Sequence, residues 1–124
     1  MTRSPLPRLR TLCLALPEAH EKLSHGEPTF WAGKRMFASF ADAKNHHGNG
    51  RYAVWIKSTH LTQDMLVTRW PALYFVPPYV GVSGWVGVYL DGKVDWNAVA
   101  DRLRDGYCLV ATKKLVSQLD SPQR

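Results

Sequence analysis

GWVGVYLDGKVDWNAVADRLRDGYCLVATKKLVSQL, residues 84–119, decides the fold. It opens with Trp85, Val86, Val88, Tyr89 and Leu90, the residue types that fill a pleated, half-buried surface, so a strand is predicted over Gly84–Leu90. Asp91-Gly92 follows, a tight-turn dipeptide because both residues tolerate positive φ. Asp95 then stands where a helix N-cap belongs, just ahead of an apolar repeat. Trp96, Val99, Leu103, Tyr107 and Val110 recur at steps of three or four and share one helix face. That face requires a sheet to cover, and the preceding strand is the nearest one. A short basic helical tail, with Lys113 and Lys114, completes the stretch.

Outward from this unit, Tyr79–Gly84 is a Gly-rich linker, and Leu73–Val76 is a short strand cut by Pro77-Pro78. A second helix is expected from about Thr59 to Trp70, capped by Ser58 or Thr59, with Leu61, Met65, Leu66 and Trp70 as its apolar contacts. Arg51–Lys57 reads as a strand. Thr29–Trp31 and Met36–Phe40 flank a hairpin tip with Lys34 and Arg35, and the longer tip from Lys44 to Arg51 carries His46 and His47. His20–His25 is an edge strand, and Gly26-Glu27-Pro28 is a turn. Ser4-Pro5 starts the first helix, whose stripe is Leu6, Leu9, Leu12, Cys13 and Leu16, and Pro17 ends it. The order is helix, three or four meandering strands, helix, two strands, long helix. That is an α+β fold: an antiparallel sheet with helices packed on one face, in one domain over residues 1–124.

Composition narrows the function classes. The chain of 124 residues is 45% hydrophobic and 21% charged, as expected of a soluble protein. No apolar run approaches the ~18 residues of a membrane span, so no membrane partner is expected. The stretch Leu12–Leu16 is too short for a signal-peptide core and is followed by Pro17-Glu18, so it reads as a mature helix. Cys13 and Cys108 fall on apolar helix faces and are expected to be buried free thiols, which fits a cytoplasmic location. His46 and His47 are adjacent, without the spacing of a metal-binding motif. No nucleophile elbow or complete dinucleotide-binding fingerprint occurs. Asp91, Asp95, Asp101 and Asp105 are explained by turn, cap and exposed helix positions, which leaves His25-Gly26-Glu27 as the one acid–base cluster, itself explained by a turn. No enzyme activity, cofactor or metal is expected.

The net charge of +6 is uneven. Residues 1–62 hold nine Lys/Arg and four acids, net +5, and residues 63–124 are net +1. Lys34 and Arg35 on one tip, and Lys44, His46, His47 and Arg51 on another, are placed to meet phosphates; Lys113 and Lys114 add a further basic set. Trp55, Trp70 and Trp96 are assigned to packing, while Trp31 and Trp85 are left open as packing or stacking residues.

Leu12-Cys13-Leu14-Ala15-Leu16-Pro17, the Phe30…Gly33-Lys34…Met36-Phe37-Ala38 pattern, Trp85…Val88-Tyr89-Leu90-Asp91-Gly92 and Leu103…Tyr107…Leu109-Val110-Ala111-Thr112-Lys113-Lys114 together resemble the MmcQ/YjbR family, small bacterial proteins of CyaY-like fold. The resemblance runs from about Leu9 to Leu119. It implies a non-enzymatic protein that binds DNA through basic double-wing hairpins, mainly by phosphate contacts; a cytoplasmic monomer is expected. The alternative it implies is a protein- or small-ligand-binding module that uses the exposed sheet face. Two departures stand out. Val82-Ser83-Gly84-Trp85 replaces the basic residues and His-Trp pair frequent in the family, and Ala41–Gly50 is a local elaboration. Frataxin-like iron handling is not implied, because the first helix carries Arg8 and Arg10 and no acid.

Overall fold

The structure is a computed structural model that describes residues 3–45 and 49–119. Six strands form one open antiparallel sheet: β1 (Ala19–Ser24), β2 (Glu27–Ala32), β3 (Arg35–Ala41), β4 (Ala53–Ile56), β5 (Tyr74–Phe75) and β6 (Val86–Tyr89). Their order is β1-β2-β3-β4-β6-β5, a four-strand meander followed by a pair added in reverse. Four helices accompany them: α1 (Leu6–Leu14), α2 (His60–Arg69), α3 (Trp96–Val110) and α4 (Lys113–Leu119).

α3 seals one face. Asp95 caps it, its carboxylate accepting from the backbone N–H groups of Asn97 and Ala98. Val99, Leu103, Tyr107 and Val110 are buried, and Trp96 is half-buried with the Arg8 guanidinium 5.4 Å from its ring centre. These residues join Phe30, Phe40, Val54, Ile56, Val86 and Val88 in one core, which Leu9 and Cys13 of α1, Leu66 of α2 and Leu115 of α4 complete. The expected grouping of helices over a single face is what the fold adopts. The Tyr107 hydroxyl donates to the Pro17 carbonyl at 2.6 Å, and the Phe37 ring meets Tyr107 edge-on.

Several local expectations are corrected. The turn after β1 is His25-Gly26, two residues at φ 54° and 81°, and Glu27 is already in the next strand. Both positive φ values are those of a type I′ hairpin, whose twist matches its strands. β4 is shorter than Arg51–Lys57, and the Tyr79–Gly84 linker contains a 3₁₀ turn, Val80–Ser83. In α2, Thr59 is the cap, but of Leu61, Met65, Leu66 and Trp70 only Leu66 is buried; Leu61 is 81% exposed. The inner position goes to Gln63, because the neighbouring segment presents carbonyls that need a donor: its amide donates to Gly81 O at 2.8 Å and Trp85 O at 2.6 Å. Neither cysteine is in a disulfide; Cys13 is buried, whereas Cys108 is exposed, one step off the apolar stripe.

A bulge in β3 positions the opposite face. Phe30 pairs with Ala38 and Trp31 with Met36, so Phe37 is an extra residue. Phe37 and Ala38 are consecutive yet both belong to the helix-covered core. The phase of β3 therefore changes, and Met36 and Ser39, three residues apart, both line the uncovered face.

At the end of the sheet near the β3–β4 loop, Arg51 forms a two-pronged ion pair with Asp91, at 2.8 and 2.7 Å, and lies 3.5 Å over the Tyr89 ring.

Two outcomes follow from this packing. Leu103→Ala removes a fully buried side chain and is expected to destabilise the protein by roughly 2–5 kcal/mol, read by thermal or denaturant melting; an unchanged melting curve would place Leu103 outside the core. The Arg51 hydrogen bonds hold the Asp91 carboxyl below its ordinary range. A depressed folded-state pKa adds stability that is complete above the ordinary carboxylate pKa of ~3.9 and is lost as pH falls through the lower value. Asp91→Asn is expected to cost under about 1 kcal/mol at pH 7, because the pair is partly exposed, and the difference from wild type should shrink below pH ~4.

Candidate functional site

The face of the sheet away from α3 is not a polar, solvated surface. Ala41, Ala53, Trp55 and Trp85 are buried on it, with Met36, Phe75, Val80 and Tyr89 packed around them. At the β5–β6 end, Gly87 has no side chain, and the Phe75 ring occupies that space: a Cβ on Gly87 would lie 2.2 Å from it. The Phe75 and Tyr89 ring centres are 4.5 Å apart in a stacked pair, which closes this side. Over β1–β4 the face is open and forms a cleft of about 980 Å³.

Each wall of the cleft is fixed by a local interaction. Trp31 on β2 donates its indole N–H to the Thr29 hydroxyl at 2.8 Å, and that hydroxyl donates to the Lys22 carbonyl at 2.8 Å. The ring is therefore held against the sheet, with the Lys22 ammonium 4.4 Å from its centre. Trp85 is set by Gln63, whose amide donates to the Gly81 carbonyl within the 3₁₀ turn and to the carbonyl of Trp85 itself. Tyr79, 69% exposed, stands at the rim with φ 66° and ψ −63°. The Val80 N–H donates to the Pro78 carbonyl at 2.7 Å across it, which defines a positive-φ γ-turn. Such a conformation at a non-glycine residue stores about 1–3 kcal/mol of strain.

Glu27 supplies the charge. It is 3% exposed, lines the cleft, and follows directly on the His25-Gly26 turn. One carboxylate oxygen accepts from the Asp42 N–H and the other from the Asn45 amide, both at 2.9 Å. The first part of the β3–β4 loop is thereby folded back over the β1–β2 turn. Both partners are neutral donors, and among the described residues no Lys, Arg or His forms an ion pair with Glu27. Elsewhere, burial pushes the Cys13 thiol well above its ordinary pKa, so it is held as an unreactive thiol. No group of three or more potential metal ligands occurs among the described residues, and none of their helices is long and apolar enough to cross a membrane.

The basic residues singled out in the sequence lie elsewhere and are not gathered in one place. Lys34 and Arg35 are exposed at the β2–β3 turn. Lys44 is exposed in the β3–β4 loop, at the opposite end of the sheet, a strand length of roughly 20 Å away. Arg51 shares that end but is engaged by Asp91 and Tyr89. His46 and His47 lie outside the described residues. Lys113 and Lys114 are exposed at the start of α4. The last turns of α3 rest on the Lys57 end of β4, where a Cβ on Gly106 would lie 2.7 Å from the Lys57 carbonyl, and the Lys57 N–H donates to Phe37 O. The β2–β3 turn, Lys57 and α4 therefore belong to one end of the molecule. Of the aromatic assignments, Trp55 is buried but on the cleft face, and Trp70 is 42% exposed instead of packed.

The sequence singles out His25-Gly26-Glu27 but explains it as a turn, and it offers the exposed sheet face as an alternative binding surface without showing the burial of Glu27 or the cleft. Glu27 follows a glycine and precedes Pro28, which reads as a turn; its burial depends on a loop that arrives fifteen residues later. The apolar character of both faces was visible in Ala53-Val54-Trp55-Ile56, where every position is buried.

Comparison with known proteins places this geometry in a family. The YjbR family model matches residues 14–109. The chain is similar in structure to the Deinococcus radiodurans protein DR2400, a DUF419 domain known from a crystal structure, with a TM-score of 0.72 and 24% identity over 94% of this chain and 88% of that one. This likeness shows the shared fold. No curated protein matches the chain. Neither the matching family nor this structural relative is described by an enzymatic activity. With a family model that spans most of its length, the chain belongs to the YjbR family.

Proposed function

We propose that this chain is a non-enzymatic binding protein of the cytoplasm that takes a small ligand on the open face of its sheet. The observation that carries this reading is the cleft of about 980 Å³ lined by Trp31, Trp55 and Trp85 with the buried Glu27 carboxylate. Ligand sites are concave, largely apolar and furnished with a few placed polar groups, and this cleft has those attributes. Its walls are preset by hydrogen bonds, which lowers the ordering entropy lost on binding. The two cysteines, neither in a disulfide, support a reducing compartment.

A second reading keeps nucleic acid as the partner, and one observation favours it. Lys34 and Arg35 lie at the same end of the molecule as Lys57 and the Lys113-Lys114 pair, in a chain of net charge +6. In this form the phosphate-binding element is one basic end. A pair of wings at Lys34-Arg35 and Lys44-Arg51 is disfavoured by their separation along the sheet and by the Arg51–Asp91 ion pair.

Two measurements separate the readings. A ligand-observed NMR screen of small aromatic compounds is expected to yield binders whose affinity falls about tenfold in Trp31→Ala, the loss of one stacking surface. Binders unaffected by that substitution would place the site elsewhere. For duplex DNA, fluorescence anisotropy across salt concentrations is expected to show a slope of log K against log salt reduced by roughly two in the Lys34→Ala, Arg35→Ala double variant. An unchanged slope and affinity would remove the basic end from consideration.

A further inference from the structure

We infer that the cleft selects organic cations, an ammonium group carried on a flat apolar body, over neutral and anionic molecules of the same shape. The inference rests on the open-face reading and goes on to specify its ligand class. The ionisable groups in the described lining are Glu27 and His25, with Lys22 at the Trp31 ring and Asp42 next to Glu27. Glu27 has lost nearly all contact with water, and its two hydrogen bonds come from a backbone N–H and a primary amide. Those donors satisfy one lone pair on each oxygen and leave the carboxylate without an ion-pair partner among the described residues. A buried charge in that condition is stabilised by any cation brought into the cleft, because the local dielectric is low and screening is weak.

The aromatic walls act in the same direction. Indole faces carry the negative part of the ring quadrupole and attract cations within about 6 Å of the centroid. The chain itself gives an instance, since the Lys22 ammonium sits 4.4 Å over Trp31. An inorganic cation is not the match: beside Glu27 and His25 the lining offers mainly indoles, a thioether, an amide and hydroxyls, and no group of three or more His, Cys, Asp or Glu side chains that could hold a metal ion occurs among the described residues. The volume of about 980 Å³ exceeds a lone ammonium and suits a ring-bearing one.

Isothermal titration calorimetry with three probes of similar size tests this: benzyltrimethylammonium, benzyl alcohol and benzenesulfonate. The wild type is expected to bind the ammonium at least about tenfold more tightly than the other two, the scale of one cation–π or charge contact. Glu27→Gln, verified by thermal melting to remain folded, is expected to remove most of that preference while neutral binding persists. Equal binding of all three probes, or tighter binding of the sulfonate, would overturn the cation assignment and leave the open-face reading standing. A preference undiminished in Glu27→Gln would overturn the role of Glu27 as its source. Failure of all three to bind would overturn the assignment together with the open-face reading.

Discussion

β4 imposes the constraint from which the rest follows. Ala53, Val54, Trp55 and Ile56 are all buried, and successive side chains on a strand point to opposite faces. A sheet with this strand near its centre must be apolar on both sides. One side is answered within the fold by the stripe of α3, with α1, α2 and α4 completing the core. On the other side Trp55 is joined by Trp85, Ala41 and Ala53, and among the described residues none of the helices α1–α4 contributes to the lining of the cleft that remains. Antiparallel sheets of this kind ordinarily present polar residues to water on their second face. An indole-lined cleft there departs from that rule, and such departures mark surfaces that meet something else.

The cleft is assembled by devices that each act over a short range. The Phe37 bulge brings Met36 and Ser39 onto one face. Gln63 reaches from α2 to hold the backbone that carries Trp85. Glu27 ties the β3–β4 loop to the β1–β2 turn. The result is a site built from four separate segments, each positioned by interactions within the chain. The buried Glu27 carboxylate is opposite in sign to the net charge of the whole chain, so the long-range field and this buried group do not favour the same partner.

Much of this fold was legible in the sequence. The α3 stripe, the Asp95 cap and the strand before them are all present, because they rest on local periodicity and capping chemistry. The β2–β3 hairpin was legible for the same reason. The unread features depend on distant partners. Glu27 looks like a turn residue until Asn45 is folded onto it, and Gln63 looks solvent-facing until the carbonyls of Gly81 and Trp85 arrive. Lys34 and Lys44 look alike as hairpin cations, yet strand direction sends them to opposite ends of the sheet. Cys108 shows the limit of periodicity itself: it follows the buried Tyr107 but turns outward.

The most direct measurement is a nitrogen–proton NMR spectrum that resolves the five tryptophan indole N–H signals during titration with an aromatic ammonium compound. The signals of Trp31, Trp55 and Trp85 are expected to shift together and saturate at one ligand concentration, while those of Trp70 and Trp96 stay in place. Movement confined to Trp70 and Trp96, or no movement at saturating ligand, would contradict the open-face site.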